Sequence, residues 1–115
     1  IAFNVMAANC DDHTKTLSFL LREGGAWELA PAYDVTHAYN PRGEWTYQHL
    51  LGVNGKFAGI TRQDLLDLAE RFAIGTASTV LTQVRTAVSK WPEHAEIAGL
   101  TAPQIERVAT HHALV

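Results

Sequence analysis

Asn9-Cys10-Asp11-Asp12-His13-Thr14-Lys15-Thr16 is the stretch from which the rest of the chain is read. It sets two acids, a histidine and a lysine within positions 11–15, directly before the apolar run Leu17-Ser18-Phe19-Leu20-Leu21. That run reads as a buried strand. Arg22-Glu23-Gly24-Gly25 is turn chemistry, and Trp27-Glu28-Leu29 alternates apolar and polar, so the two pieces form a β-hairpin. Pro31 stops the second strand and leaves Tyr33 and Asp34 just beyond its end. The expected centre of the molecule is therefore a polar loop, a hairpin and a second acid.

Upstream, residues 1–8 are small and apolar and read as the tail of a helix entered in mid-element, with no basic region of a signal peptide. This makes the chain an expected piece of a larger protein. Asn9 and Asp11 end that helix, because short polar side chains compete for backbone hydrogen bonds. Downstream, 35–43 has loop composition, 45–53 reads as extended, and Asn54-Gly55 is a turn signal. The period then changes to helical. Thr61-Arg62-Gln63-Asp64 resembles a capping box, Leu65, Leu68, Ala69 and Phe72 follow at helical spacing, and Gly75 is the expected stop. A second amphipathic helix spans 78–91, with Val80, Leu81, Val84, Val88 and Trp91 on one face and Pro92 past its end. Residues 93–98 form another helical turn, and Thr101-Ala102-Pro103-Gln104 starts a last helix with Ile105, Val108, Ala109 and His112 inward. The expected fold is α+β, mainly α: a loop-and-hairpin region over 1–60, which holds the residues that could carry chemistry, and a helical subdomain over 61–115.

Composition fits a soluble globular domain: 115 residues, 47% apolar and 18% charged. A net charge of -3, with the nine basic residues scattered, argues against nucleic-acid binding by this domain, which needs clustered Lys and Arg. The single cysteine, Cys10, rules out an internal disulfide and suits a reducing cytoplasm. No apolar stretch approaches the roughly 20 residues that span a membrane.

The chemistry that these residues suggest is phosphoryl transfer. Asp11 is followed five residues later by Thr16, and after a hairpin by Asp34. One carboxylate on a loop can orient or deprotonate an attacking hydroxyl, while a nearby oxygen ligand and a second carboxylate hold Mg²⁺ against phosphates. The catalytic loop of protein kinases, H-R-D-x-x-x-x-N, has the same Asp-to-ligand offset as Asp11 to Thr16. Lys15 is placed to neutralise charge on the transferred phosphate.

Asn9-x-Asp11-Asp12-His13-x-Lys15, the Leu17-Ser18-Phe19-Leu20 strand and Leu29-Ala30-Pro31-Ala32-Tyr33-Asp34-Val35-Thr36 resemble the C-terminal lobe of HipA-type serine/threonine kinases, the bacterial toxins of HipBA-like modules. His49-Leu50-Leu51-Gly52-Val53-Asn54-Gly55-Lys56 and the Ile60–Leu66 helix start also resemble that family. The resemblance implies a kinase-like lobe using ATP and Mg²⁺, with Asp11 as catalytic base and Lys15 as its helper. It places His13, Thr14, Lys15 and Thr16 against nucleotide, and Asp34 and Thr16 on the metal. It further implies a HipB-like DNA-binding antitoxin as partner, a protein substrate such as a tRNA synthetase, and a cytoplasmic setting. The family pattern has Asn where this chain has Thr16. No Gly-rich phosphate loop or strand lysine is present, so the isolated chain is expected to be inactive.

Plainer readings stand beside these. The acidic cluster could be a solvated turn, and Asp34 a simple turn residue. His13 serves equally as a bridge to backbone carbonyls or a nucleotide contact. Trp27, Trp45 and Trp91 read as core or packing residues. Neighbouring negative charge disfavours a Cys10 thiolate, and the remaining histidines lack metal-ligand spacing; His111 and His112 would point to opposite sides of a helix. A pseudokinase scaffold, or a phosphohydrolase using Asp11, Asp12 and His13 directly on a metal, are the competing functions.

Overall fold

The chain winds from a short helix through an irregular β-containing front into four further helices, as described by a computed structural model covering residues 1–115. Helix α1 (Ala2–Met6) leads into the polar loop, a single 3₁₀ turn (Thr14–Thr16), and the antiparallel strands β1 (Phe19–Leu21) and β2 (Trp27–Leu29). Phe19 faces Leu29 and Leu21 faces Trp27 in the ladder. Helices α2 (Arg62–Arg71), α3 (Ala77–Ser89), α4 (Trp91–Ile97) and α5 (Ala102–Ala109) complete the fold. It is α+β and mainly helical, and none of its helices is long and apolar enough to cross a membrane.

One core joins the two ends of the sequence. Val5, Met6 and Ala7 from α1 and the loop that follows it pack with Val53, Ile60, Leu65, Leu81 and Val88. Met6 is fully buried. The C-terminal tail returns to this point, where Ala113 N–H donates to the Met6 carbonyl at 3.0 Å. A second tie is lateral: the His37 and His111 rings stack, with Nε2 and Nδ1 3.0 Å apart, and Tyr39 meets His111 edge-on. His112 packs instead against Trp91. Both histidines lie beyond the end of α5, so their divergence comes from the tail and not from a helical face.

Helix starts follow the sequence closely. The Thr61 hydroxyl accepts from Asp64 N–H at 3.3 Å, and the Asp64 carboxylate accepts from Thr61 N–H at 2.8 Å, which closes the capping box. Asp64 also accepts from Lys56 Nζ at 2.9 Å and Asn54 Nδ2 at 3.2 Å. The Thr61 hydroxyl and the Lys56 ammonium hold its carboxyl well below the usual carboxylate range. Asn54 and Gly55 both take positive φ, 50° and 78°, which suits a tight turn closed by mutual Val53–Lys56 hydrogen bonds. In α5 the Gln104 carboxamide accepts from Thr101 N–H at 2.8 Å.

Several expectations change. The hairpin is not buried: Phe19, Leu21, Trp27 and Leu29 are all more than half exposed, since two three-residue strands with no layer against them have no face to hide. Trp27 and Trp45 are likewise exposed, and only Trp91 packs, donating Nε1–H to the Ile105 carbonyl at 3.0 Å. Residues 45–52 form bends without a strand ladder. The 78–91 helix stops at Ser89, and Trp91 and Pro92 begin α4, where Pro suits the first turn.

The stop of α2 also moves, from Gly75 to Ala73, which adopts φ 54°. Ala73 N–H bonds the Glu70 carbonyl and Ile74 N–H the Ala69 carbonyl, both at 2.9 Å, the left-handed helix-ending motif that normally takes Gly. A β-carbon there is strained. Ala73→Gly is therefore expected to raise unfolding free energy by about 0.5–1 kcal/mol, read as a shift of the urea midpoint at unchanged slope.

Candidate functional site

The polar loop is built around a helix end. Ala8 turns into the left-handed region at φ 54°, and Asn9 N–H bonds the Asn4 carbonyl at 2.9 Å, closing α1. The chain then runs as a short parallel bridge beside the segment that follows Asp34. Ala38 N–H donates to the Ala8 carbonyl and Cys10 N–H to the Ala38 carbonyl, both at 3.0 Å. Asn9, itself buried, reaches across with Nδ2 to the Asp34 carbonyl at 3.3 Å. Asp34 also sits at positive φ, 56°. Two non-glycine residues in sparsely populated backbone conformations thus flank one side-chain tether, a pattern that concentrates at functional sites.

Adjacent acids have opposite fates. Asp12 points inward and is 4% exposed. Its Oδ1 accepts from Leu50 N–H at 2.8 Å and Leu51 N–H at 3.1 Å, and its Oδ2 lies 2.9 Å from His49 Nδ1. Burial alone would raise its pKa, but the His49 hydrogen bond and the two backbone donors together lower it below the ordinary carboxylate value. The same partnership raises His49 to about 9: desolvation is outweighed by hydrogen bonds to Asp12 and Cys10. Cys10 is buried, with Sγ 4.0 Å from His49 Nε2. The negative charge beside Cys10 is thus turned onto an imidazole. His49 is the structural residue that the sequence reading left unassigned; its signal was the unexplained polar residue opening His49-Leu50-Leu51-Gly52.

Because Asp12 is inward, Asp11 and His13 stand on the outer side of the loop. Asp11 Oδ1 lies 3.7 Å from His13 Nε2, both side chains well exposed. His13 Nδ1 is buried with no partner, so the ring makes no bridge to a backbone carbonyl. The 3₁₀ turn follows, its Thr16 hydroxyl donating to the His13 carbonyl at 2.8 Å. Thr14 and Lys15 are exposed on this turn. The Lys15 carbonyl accepts from Tyr33 O–H at 2.9 Å, and Ser18 O–H donates to the Tyr33 oxygen at 2.6 Å. Tyr33 thereby ties the polar loop to the segment carrying Asp34.

A cleft of about 490 Å³ lies where these pieces meet, lined among others by Asn4, Asn9, Thr16, Tyr33 and Asp34. Thr16 and Asp34, which the sequence separates by a whole hairpin, share its wall. Asp11, His13, Thr14 and Lys15 belong to the polar loop but do not line the cleft. The Asp34 carboxylate makes no ion pair or hydrogen bond within the chain. A carboxylate, a hydroxyl and a neutral amide oxygen around one cleft form a hard-oxygen donor set of the kind that suits Mg²⁺. No cluster of three His, Cys, Asp or Glu side chains is arranged to hold a metal ion, so a cation here would rest on one carboxylate with hydroxyl, amide and water oxygens.

An α+β domain with an acid-anchored loop and a carboxylate-bearing cleft behind a hairpin defines the class. Residues 1–91 match the model of the HipA-like C-terminal domain, and the chain belongs to that family. Comparison with curated proteins and with solved structures returns no match.

The Asp12–His49 pair fixes a pH dependence. A raised His49 pKa contributes stability that is complete below its unfolded value of 6.5 and is lost as pH rises through about 9. The lowered Asp12 pKa contributes stability above 3.8 that is lost as pH falls further. His37 and His112, lowered chiefly by burial, act oppositely to His49 and cost stability as pH drops below 6.5. The destabilisation caused by His49→Gln should therefore be largest near pH 6 and much smaller by about pH 10, as measured by urea unfolding of both proteins at each pH.

Proposed function

We propose that this chain is the C-terminal lobe of an ATP- and Mg²⁺-dependent protein serine/threonine kinase of the HipA type. The observation that carries the reading is the meeting of Thr16 and Asp34 in one cleft, beside a loop that holds Asp11 outward by anchoring Asp12 inward. Family membership adds support.

In this reading Asp11 accepts the proton of a substrate serine or threonine hydroxyl as its oxygen attacks the γ-phosphorus and the bond to ADP breaks. Its exposed position leaves room for a protein substrate. Lys15 faces the developing charge, and His13 to Thr16 lie along the nucleotide. Asp34 and Thr16 would hold Mg²⁺, which when bound neutralises charge on the phosphates. A phosphohydrolase working through Asp12 is disfavoured, because both Asp12 oxygens are already occupied by three donors. By the same family reading the partners are a HipB-like DNA-binding antitoxin and a protein substrate such as a tRNA synthetase, in a bacterial cytoplasm.

A non-catalytic lobe is the second reading, favoured by the Thr16 hydroxyl being turned onto the His13 carbonyl. Mg²⁺-ATP titration separates the two: the scaffold predicts no binding in the full-length protein and no change on Asp34→Ala.

The kinase reading predicts that Asp11→Asn in the full-length protein lowers phosphate transfer from labelled ATP by about 10²–10⁴-fold, with nucleotide affinity nearly unchanged. Equal loss of binding would assign Asp11 elsewhere. These 115 residues hold no Gly-rich phosphate loop, Gly24-Gly25 being only a hairpin turn, so the isolated chain should incorporate no labelled phosphate.

A further inference from the structure

The structure contains only two buried side-chain nitrogen or oxygen atoms without a hydrogen-bond partner, Asn9 Oδ1 and His13 Nδ1. A histidine nitrogen can shed its proton, or take one, to suit its surroundings. An amide oxygen cannot, and leaving it buried without a donor is unfavourable. Asn9 is 3% exposed. Its orientation is fixed by its neighbours: Nδ2 faces the Asp34 carbonyl and Asn4 Oδ1, each at 3.3 Å. A backbone carbonyl only accepts, so turning the amide over would set two acceptors against each other. The oxygen therefore stays on the side that offers it nothing.

Asn9 also lines the cleft that holds Asp34 and Thr16. An orphaned acceptor on a residue lining the same cleft as an unpaired carboxylate suits a cation, which both oxygens can ligate, better than a phosphate, which both would repel. We infer that Asn9 Oδ1 is a ligand of the cation held in this cleft, supplying the neutral amide oxygen that Thr16 does not provide. The inference rests on the Mg²⁺ reading above and extends it to a residue which that reading does not use. One side chain then has two tasks. Its nitrogen fixes the peptide of Asp34, and its oxygen, left without a donor, belongs to a residue on the wall of the cleft that Asp34 also lines, so two residues from distant parts of the sequence are tied together before the ion arrives.

The test uses Mn²⁺ in place of Mg²⁺ on the full-length protein, with a non-hydrolysable ATP analogue present and no turnover measured. Asn9→Ala should weaken Mn²⁺ binding about tenfold or more, whereas Asn9→Asp, which keeps an oxygen, should not weaken it. In protein labelled with ¹³C at the asparagine carboxamide, electron–nuclear double resonance of bound Mn²⁺ should show a ¹³C coupling that the unlabelled protein lacks and that Asn9→Asp removes. The coupling is read on the unsubstituted protein, so it remains decisive if Asn9→Ala fails to fold. Mn²⁺ bound in an Asp34-dependent way without that coupling overturns the inference and leaves the metal reading standing. No Mn²⁺ binding at all overturns both.

Discussion

The carboxylate of Asp12 is the constraint on which the front of this domain depends. A buried charge is tolerated only when its oxygens are occupied, and here two backbone N–H groups and an imidazole occupy them. Because those donors come from residues 49–51, the contact joins the polar loop to a segment far along the chain. Residues 45–52 have no strand ladder to order them, so the carboxylate serves as their organiser. Turning Asp12 inward also decides where its neighbours go: Asp11 and His13 are left outside. Which face of the loop meets solvent is thus a consequence of a structural residue.

A second constraint comes from the core. Met6 and Val5 are deeply buried, and the helix that carries them must end within a residue or two for the chain to reach the cleft. Ala8 makes that turn in the left-handed region, at a cost that glycine would avoid. The strain is balanced by the bridge to Ala38 and by the Asn9 tether to Asp34. Packing, helix termination and the cleft are therefore one connected piece of structure. The hairpin stands apart from it. Its strands bury neither face, and the Tyr33 hydroxyl, shared between Ser18 and the Lys15 carbonyl, ties its two ends together.

Much of this was legible in the residues. Asn9 to Thr16 announced a polar loop, Gly24-Gly25 a hairpin turn, Asn54-Gly55 a tight turn and Thr61 to Asp64 a capped helix, because each is governed by contacts a few residues apart. Of the face expected over 78–91, Leu81 and Val88 enter the core and Val84 packs against it, while Val80 stays exposed and Trp91 belongs to the next helix. Burial was misread where it depends on a missing layer. Leu17 to Leu21 has the composition of an inside strand, yet apolar composition says only that a face is available to be covered. The α2 stop was misplaced because Gly75 is the usual residue for the task while Ala73 performs it.

What the sequence by itself determined is the set of local elements and the inventory of oxygen-bearing side chains between 9 and 34. Tertiary structure alone decided which of those oxygens are free. Asp11 and Asp12 are chemically identical neighbours, and nothing in their order tells that one is held by His49 while the other meets solvent. Asn9 reads in the sequence only as a helix-ending polar residue, until the fold sets its nitrogen against Asp34 and leaves its oxygen without a donor. The reason is physical: propensities and spacing act over a few residues, whereas hydrogen-bond saturation of a buried group is settled by partners tens of residues away.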